Sequence, residues 1–388
     1  MSDAISPFEI RVPDETLDDL KQRLAATRFP QQIEGTDWTY GAEISYLEEL
    51  IAYWRDKYDW RAQEAALNQF DHFTTAIDDQ RIHFIHQRST HDHAVPLLLM
   101  HGWPGSVVEF MNVIGPLTQP EAHGGDAADA FHVVAPSLPG YGFSEFTKTT
   151  GYDTHRMAEN FAVLMSRLGY DRYGVEGGDW GAVIANSVAI LDAEHVLGLH
   201  TTMPLAFPPP GHDPKDLSER EQADLADLAD FDQNGTGYQK IQGSKPQTLG
   251  FGLNDSPAGL CAWITEKFHG WTDCDGHVEN AIDRDQLLTN IMLYWVTQTI
   301  TSSTRLYYET FKSGRVGIVG AKVEVPTGVA RFPREIMRYP RKWVEQSYNV
   351  THWTDMPKGG HFAAMEQPDL FVTDVRKFFG TLRAKLRS

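Results

Sequence analysis

The stretch EGGDWGAV, Glu176 to Val183, decides how the rest of the chain is read. It lies between a short β-type run, YGV, and an apolar run of helical character. Its centre, Gly177-Gly178-Asp179-Trp180-Gly181, has the G-x-S-x-G form of a sharp strand-to-helix turn that presents a nucleophile at its tip. Here the tip residue is a carboxylate.

Working outward, strand-like and helix-like runs alternate from Val95 onward. VPLLLM is followed by VVEFMNVIGPL, FHVVAP, MAENFAVLMSRLGY, YGVEGG, a helix from near Trp180, and VLGLHTT. Continuous apolar strands separated by helices predict a mostly parallel, doubly wound α/β sheet covered on both faces. The Pro-rich LAFPPPGHDP breaks this pattern and opens about a hundred residues that read as a mainly helical insertion. Strands resume at VEVPTGVA and NVTHWTDM, and an amphipathic helix is expected over Asp369 to Leu386. Four segments result: 1–94, an N-terminal helical segment and hairpin wrapping the core; 95–204, the first part of the core; 205–320, the cap; and 321–388, the second part of the core. In the first segment Asp14 is expected to cap a helix closed by Pro30, a second helix spans Gly41 to Tyr58, and Asp78-Asp79 turns a hairpin.

Ligand sites in such sheets lie beyond the carboxyl ends of the strands. Three loops converge there: His101-Gly102-Trp103-Pro104-Gly105-Ser106 after VPLLLM, Asp179 after YGVEGG, and Lys358-Gly359-Gly360-His361 after NVTHWTDM. An acid is required in chain order between nucleophile and histidine. Glu335 leaves a strand at the right end and is preferred to Asp355, which lies on the strand leading to His361. Each motif alone is an ordinary turn; their joint order on the expected strands carries the catalytic reading.

The formal net charge of −19 argues against nucleic acid or an anionic membrane as partner. Cys261 and Cys274 are too few for a disulfide framework and lack zinc-ligand spacing, so a reduced cytoplasmic setting is expected. The amino terminus carries no signal-peptide pattern and no run of 18 apolar residues occurs, so no membrane anchor is expected. His83, His86, His91 and His93 read as a solvated hairpin, with metal and cofactor both expected to be absent. PSLPGYGFS, from Pro136, lacks the phosphate-loop pattern and reads as a loop at the pocket entrance.

HGWPGS, EGGDWGAVIA, GYQKIQGSKPQTLGFGLNDSPAGL and KGGHFAAMEQP together resemble the epoxide hydrolases of the α/β-hydrolase fold, in particular the microsomal class. PFEIRVPDETLDDLKQRLAATRFP resembles that class's amino-terminal segment, so the likeness covers nearly the whole chain, without the membrane-anchoring helix of mammalian members. The resemblance implies Asp179 as nucleophile, His361 as base and Glu335 as its orienting acid. It also implies Tyr238 and Tyr307 as donors to the epoxide oxygen, with Tyr308 adjoining the second.

The chemistry explains the carboxylate at 179. An epoxide offers a saturated carbon, and a serine attacking it would leave an ether that water cannot cleave. A carboxylate leaves an ester, which supplies the carbonyl a second step requires. The backbone N–H groups of Trp103 and Trp180 are the expected oxyanion donors, with His101, Gly102 and Pro104 shaping the pocket loop. The expected reaction turns a lipophilic epoxide and water into a diol; a homodimer is possible. A haloalkane dehalogenase with the same Asp nucleophile is the alternative, and a non-catalytic binding member of the fold stands behind it. No G-x-S-x-G occurs to support a serine esterase.

Overall fold

The computed structural model describes residues 4–315 and 321–383. Among these residues β1 (Ser6–Phe8), β2 (His72–Ile77), β3 (Gln80–Gln87), β4 (Val95–Met100), β5 (Phe131–Pro136), β6 (Tyr173–Gly177), β7 (Val196–Thr201), β8 (Val323–Arg331) and β9 (Tyr348–Asp355) form one sheet. Its order is β1-β2-β3-β5-β4-β6-β7-β8-β9. The three outer strands pair antiparallel, as does β3 with β5, and every pair from β5 to β9 is parallel. Strands β4, β6 and β7 are buried at every position, which is why they read as unbroken apolar runs rather than alternating ones.

The β2–β3 turn has Asp78 and Asp79 at φ 50° and 59°. Two consecutive left-handed residues are what a tight hairpin with the sheet's own twist demands, and Asp tolerates that region. The hairpin is continuous with the core sheet. His83 and His86 are buried within it, contrary to the expected solvated hairpin. His83 bonds the His72 ring and the Ser137 hydroxyl, and His86 bonds the Tyr170 hydroxyl.

Before the hairpin come α1 (Asp14–Ala25), α2 (Ile44–Asp56) and α3 (Trp60–Leu67). Asp14 is the first helical residue rather than the cap: Pro13 holds the cap position, and the Asp14 carboxylate accepts from Arg61. Glu43 caps α2 by accepting from the Ser45 and Tyr46 amides, so that helix starts later than its pattern suggests. Its apolar stripe, Leu47, Leu50, Ile51 and Trp54, is buried.

Helices α4 (Met111–Thr118), α5 (Thr154–Arg167) and α6 (Asp179–Leu191) connect the central strands. Between β7 and β8 run α7 (Glu219–Asp230), α8 (Gly237–Gln242), α9 (Pro246–Leu253), α10 (Pro257–Trp271), α11 (Arg284–Thr297) and α12 (Ile300–Ser313). After β8 follow α13 (Arg341–Ser347), α14 (Ala363–Glu366) and α15 (Pro368–Gly380). The expected terminal helix therefore ends at Gly380, and its last part, 384–386, lies outside the described residues. Glycines of β6, β7 and β8 admit α15: a β-carbon on Gly174 would lie 2.4 Å from Phe379, and one on Gly328 2.7 Å from Phe378.

The N-terminal helices brace the α7–α12 insertion. Tyr53 donates to Asp285 at 2.8 Å, the Tyr58 and Thr289 hydroxyls bond at 2.9 Å, and the Trp54 indole N–H meets Met292 Sδ at 3.2 Å. No helix among the described residues is long and apolar enough to cross a membrane.

Candidate active site

The turn at Asp179 is enforced by its glycines. A β-carbon on Gly177 would lie 2.3 Å from the Gly181 carbonyl oxygen, and one on Gly181 would lie 2.0 Å from that of Met100. Helix α6 therefore starts directly against the ends of β6 and β4, and Asp179 takes φ 48° at the tip. A non-glycine residue in the left-handed region costs on the order of 1 kcal/mol or more, and the surrounding close packing holds it there. The carboxylate stands at the N-terminal, positive end of α6.

The neighbouring loop after β4 meets it. The Trp103 amide donates to Asp179 Oδ1 at 2.7 Å. Gly102 makes the approach possible, since a β-carbon there would lie 2.2 Å from the same oxygen. The Trp103–Pro104 peptide is cis. His101 is buried with both ring nitrogens engaged: one donates to the Gly102 carbonyl at 3.0 Å and the other accepts from the Leu138 amide at 3.2 Å. Burial pushes its pKa down to about 4, which keeps the ring neutral and able to make both bonds. The Pro104 and Gly105 carbonyls accept from Asn290 at 2.8 Å and Tyr294 at 2.6 Å. Ser106 donates to Asn290 at 2.7 Å. Thus α11 fixes the loop that contains His101, Gly102 and Pro104. Trp180 places its ring against Tyr307, with centroids 4.8 Å apart. Its amide makes no hydrogen bond to the Asp179 carboxylate among the described residues, unlike that of Trp103.

On the other side, His361 Nε2 lies 3.3 Å from Asp179 Oδ2, and His361 Nδ1 bonds Glu335 Oε1 at 2.7 Å. Glu335 is buried just past β8, and its Oε1 also accepts from the Ile336 amide. Asp355 points away, pairing with Arg331 and Arg220. Burial disfavours a charged His361, yet Glu335 and Asp179 together outweigh it and raise the pKa well above the ordinary histidine value. The two carboxylates therefore favour the charged form of the imidazole in the resting site.

Glu366, not singled out from the sequence, sets the histidine's loop. Its carboxylate accepts from the Gly360, Phe362 and Asp273 amides at 2.8 to 2.9 Å. Burial raises its pKa to about 7 against those three donors. Asn290, Tyr294 and Glu366 carry a common signal, a polar side chain amid apolar neighbours, that does not say what it bonds.

Tyr238 on α8 and Tyr307 on α12 face the elbow from the insertion. The Tyr238 ring stacks on Trp103 at 5.3 Å, and the two tyrosine rings lie 5.8 Å apart. Both are buried, and among the described residues the Tyr307 hydroxyl has no hydrogen-bond partner. Burial, then nearby negative charge, raises both phenols above their ordinary pKa, so both keep their protons. Tyr308 instead bonds the Lys312 ammonium at the surface, which separates it from its neighbour. Among the described residues no group of His, Cys, Asp and Glu could hold a metal ion.

A doubly wound sheet with a helical insertion after β7 and a Asp–His–Glu constellation at its carboxyl edge defines an α/β hydrolase with a carboxylate in the nucleophile position. The comparisons agree with both halves. Residues 5–110 match the family model "Epoxide hydrolase N terminus", and residues 95–235 match "alpha/beta hydrolase fold". A putative epoxide hydrolase of Stigmatella aurantiaca is 48% identical over 98% of this chain and 86% of its own length. Epoxide hydrolase 1 of Sus scrofa is 41% identical over 98% and 89% respectively. The crystal structure of juvenile hormone epoxide hydrolase from the silkworm Bombyx mori superposes with a TM-score of 0.90 at 36% identity, covering 100% of this chain and 96% of that one. The chain belongs to the epoxide hydrolase family.

Proposed function

We propose that the chain hydrolyses a lipophilic epoxide to a vicinal diol through a covalent ester on Asp179. The observation that carries this reading is the division of labour between the two oxygens of Asp179. Oδ1 is tied to the Trp103 amide, while Oδ2, beside His361, is left to attack. Attack of Oδ2 on a ring carbon breaks that carbon's bond to the epoxide oxygen. Tyr238 and Tyr307 donate hydrogen bonds to the departing oxygen, which water-free burial would otherwise leave as a costly bare alkoxide.

Forming the ester removes the negative charge of Asp179. One of the two carboxylates holding the proton on His361 is lost; that proton passes by way of the tyrosine hydroxyls to the alkoxide, and the neutral imidazole is freed to act as base. It takes a proton from water, the water oxygen bonds Cγ of Asp179, and the Trp103 amide holds the oxyanion. The Cγ–O bond to the diol then breaks, its oxygen takes the proton from His361, and Asp179 is restored. The family relationship favours this reading over dehalogenation.

The test is His361→Ala incubated with styrene oxide. The variant accumulates protein heavier by the mass of one epoxide, mapped to Asp179. Absence of an adduct combined with continued diol formation would overturn the reading.

A further inference from the structure

The ester hydrolysis just described needs a water held against Cγ of Asp179, and His361 supplies one contact to it. From His101 to Phe110 every residue is buried except Glu109. Its side chain turns back over the loop after β4: a β-carbon on Gly105 would lie 1.6 Å from Glu109 Oε1, so glycine at 105 is what leaves room for the carboxyl. The carboxyl stands close enough to Asp179, His361 and Glu176 to feel their charges, and beside the Gly102 amide. The Tyr294 hydroxyl, bonded to the Gly105 carbonyl, faces the same group from α11. The carboxyl is thus enclosed by its own loop and by α11, on the loop whose Trp103 amide holds Asp179 Oδ1 at 2.7 Å, and Asp179 keeps 16% of its side-chain surface.

We propose that Glu109 positions the hydrolytic water, its carbonyl oxygen accepting one water hydrogen while His361 Nε2 takes the other. This rests on the covalent reading above. The atoms balance without Glu109 changing its charge: the proton taken by His361 goes to the departing diol oxygen, and the second water hydrogen remains on the oxygen that enters Asp179 until it exchanges with solvent. The electrostatics suit the role. Burial, with Asp179 and Glu176 acting against His361, pushes the Glu109 pKa up to about 8. At neutral pH the group therefore adds no second negative charge beside the nucleophile during ring opening. Once Asp179 is an ester, the carbonyl oxygen of the neutral Glu109 carboxyl remains available as an acceptor for the water hydrogen.

The experiment is stopped-flow tryptophan fluorescence with styrene oxide, which separates ester formation from ester hydrolysis in full-length wild type, Glu109→Ala and Glu109→Gln. Glu109→Ala slows hydrolysis by about 10-fold or more, as expected for a misplaced reactant, and leaves ester formation within about twofold. Glu109→Gln keeps an acceptor, retains most of the hydrolysis rate, and loses the pH dependence centred near 8. A carboxyl that merely braced the loop would give equal losses in both steps for Ala and an unaltered pH profile for Gln, and either result overturns the proposal. If Glu109→Ala does not fold, the Gln profile alone decides. Absence of any ester in the wild type would fail the underlying mechanism instead, and is read separately from the adduct mass of His361→Ala.

Discussion

His361 Nε2 lies 3.3 Å from Oδ2 of Asp179, so the proposed base of the second step is, in the resting site, the ion-pair partner of the proposed nucleophile of the first. On the proposed mechanism the reaction itself breaks that pair. Of the two carboxylates that raise the His361 pKa, one vanishes on esterification while Glu335, at 2.7 Å, remains. The rate of ester hydrolysis should therefore rise with pH as His361 loses its proton. Glu335→Gln removes the remaining charge, lowers the His361 pKa, and moves that rising limb to lower pH by about one unit, worth ~1.4 kcal/mol. Single-turnover hydrolysis rates between pH 5 and pH 9, taken as a rough titration window for histidine, check it. A limb that does not move would contradict the assignment of Glu335.

In the proposed mechanism the cap tyrosines act on the other half-reaction. Tyr238→Phe or Tyr307→Phe removes a donor to the departing oxygen and should slow ester formation on the order of 10²-fold, the usual cost of one such donor. Ester hydrolysis should change far less. Tyr308→Phe serves as the control, because that hydroxyl bonds Lys312 at the surface, and its kinetics should match the wild type. Rapid-mixing traces of all three variants decide between the adjacent tyrosines.

Gly102 is required by the approach of the nucleophile and not by its backbone angle. Gly102→Ala would place a methyl group 2.2 Å from Asp179 Oδ1, displacing the carboxylate from the Trp103 amide. The expected result is a protein that still folds, destabilised by roughly 1–3 kcal/mol as for other overpacked sites, with ester formation slowed by more than tenfold. Thermal melting and burst amplitude together test it.

Beneath the elbow a second set of charges concerns stability. His200 on β7 is fully buried between Asp374, at 3.1 Å, and Glu176, at 3.6 Å. Burial opposes its charge, but the two carboxylates outweigh that and push its pKa up to about 9. A pKa raised above the unfolded value of about 6.5 gives stability that is complete below pH 6.5 and lost as pH climbs through 9. The loss should be on the order of 2–3 kcal/mol between these limits. His200→Gln should flatten the fall of the melting temperature over that window. An equally steep fall in the variant would place the effect elsewhere.

Much of the site was legible because its members occupy turns whose chemistry is local. The glycines at 177 and 181 announce the elbow, and chain order along a parallel sheet points to Glu335 and His361. Periodicity, by contrast, reports that a face is buried without saying against what. The stripe Leu47-Leu50-Ile51-Trp54 marks a helix correctly but is silent on its partners in α10 and α11. For the same reason Asn290 and Tyr294 read as interruptions of an apolar run, and Glu109 as part of a helix-like stretch, until the fold turns them toward the loop after β4. His83 and His86 read as solvated residues of a hairpin, yet a polar ring can be buried once another ring or a hydroxyl satisfies it, as His72, Ser137 and Tyr170 do here.

The most direct measurement is a single-turnover reaction in heavy-oxygen water. The account predicts that the first diol formed carries unlabelled oxygen taken from Asp179, while one label appears in the peptide containing that residue. Label found at once in the diol, with none in the protein, would mean that water opens the ring directly and that Asp179 never forms an ester.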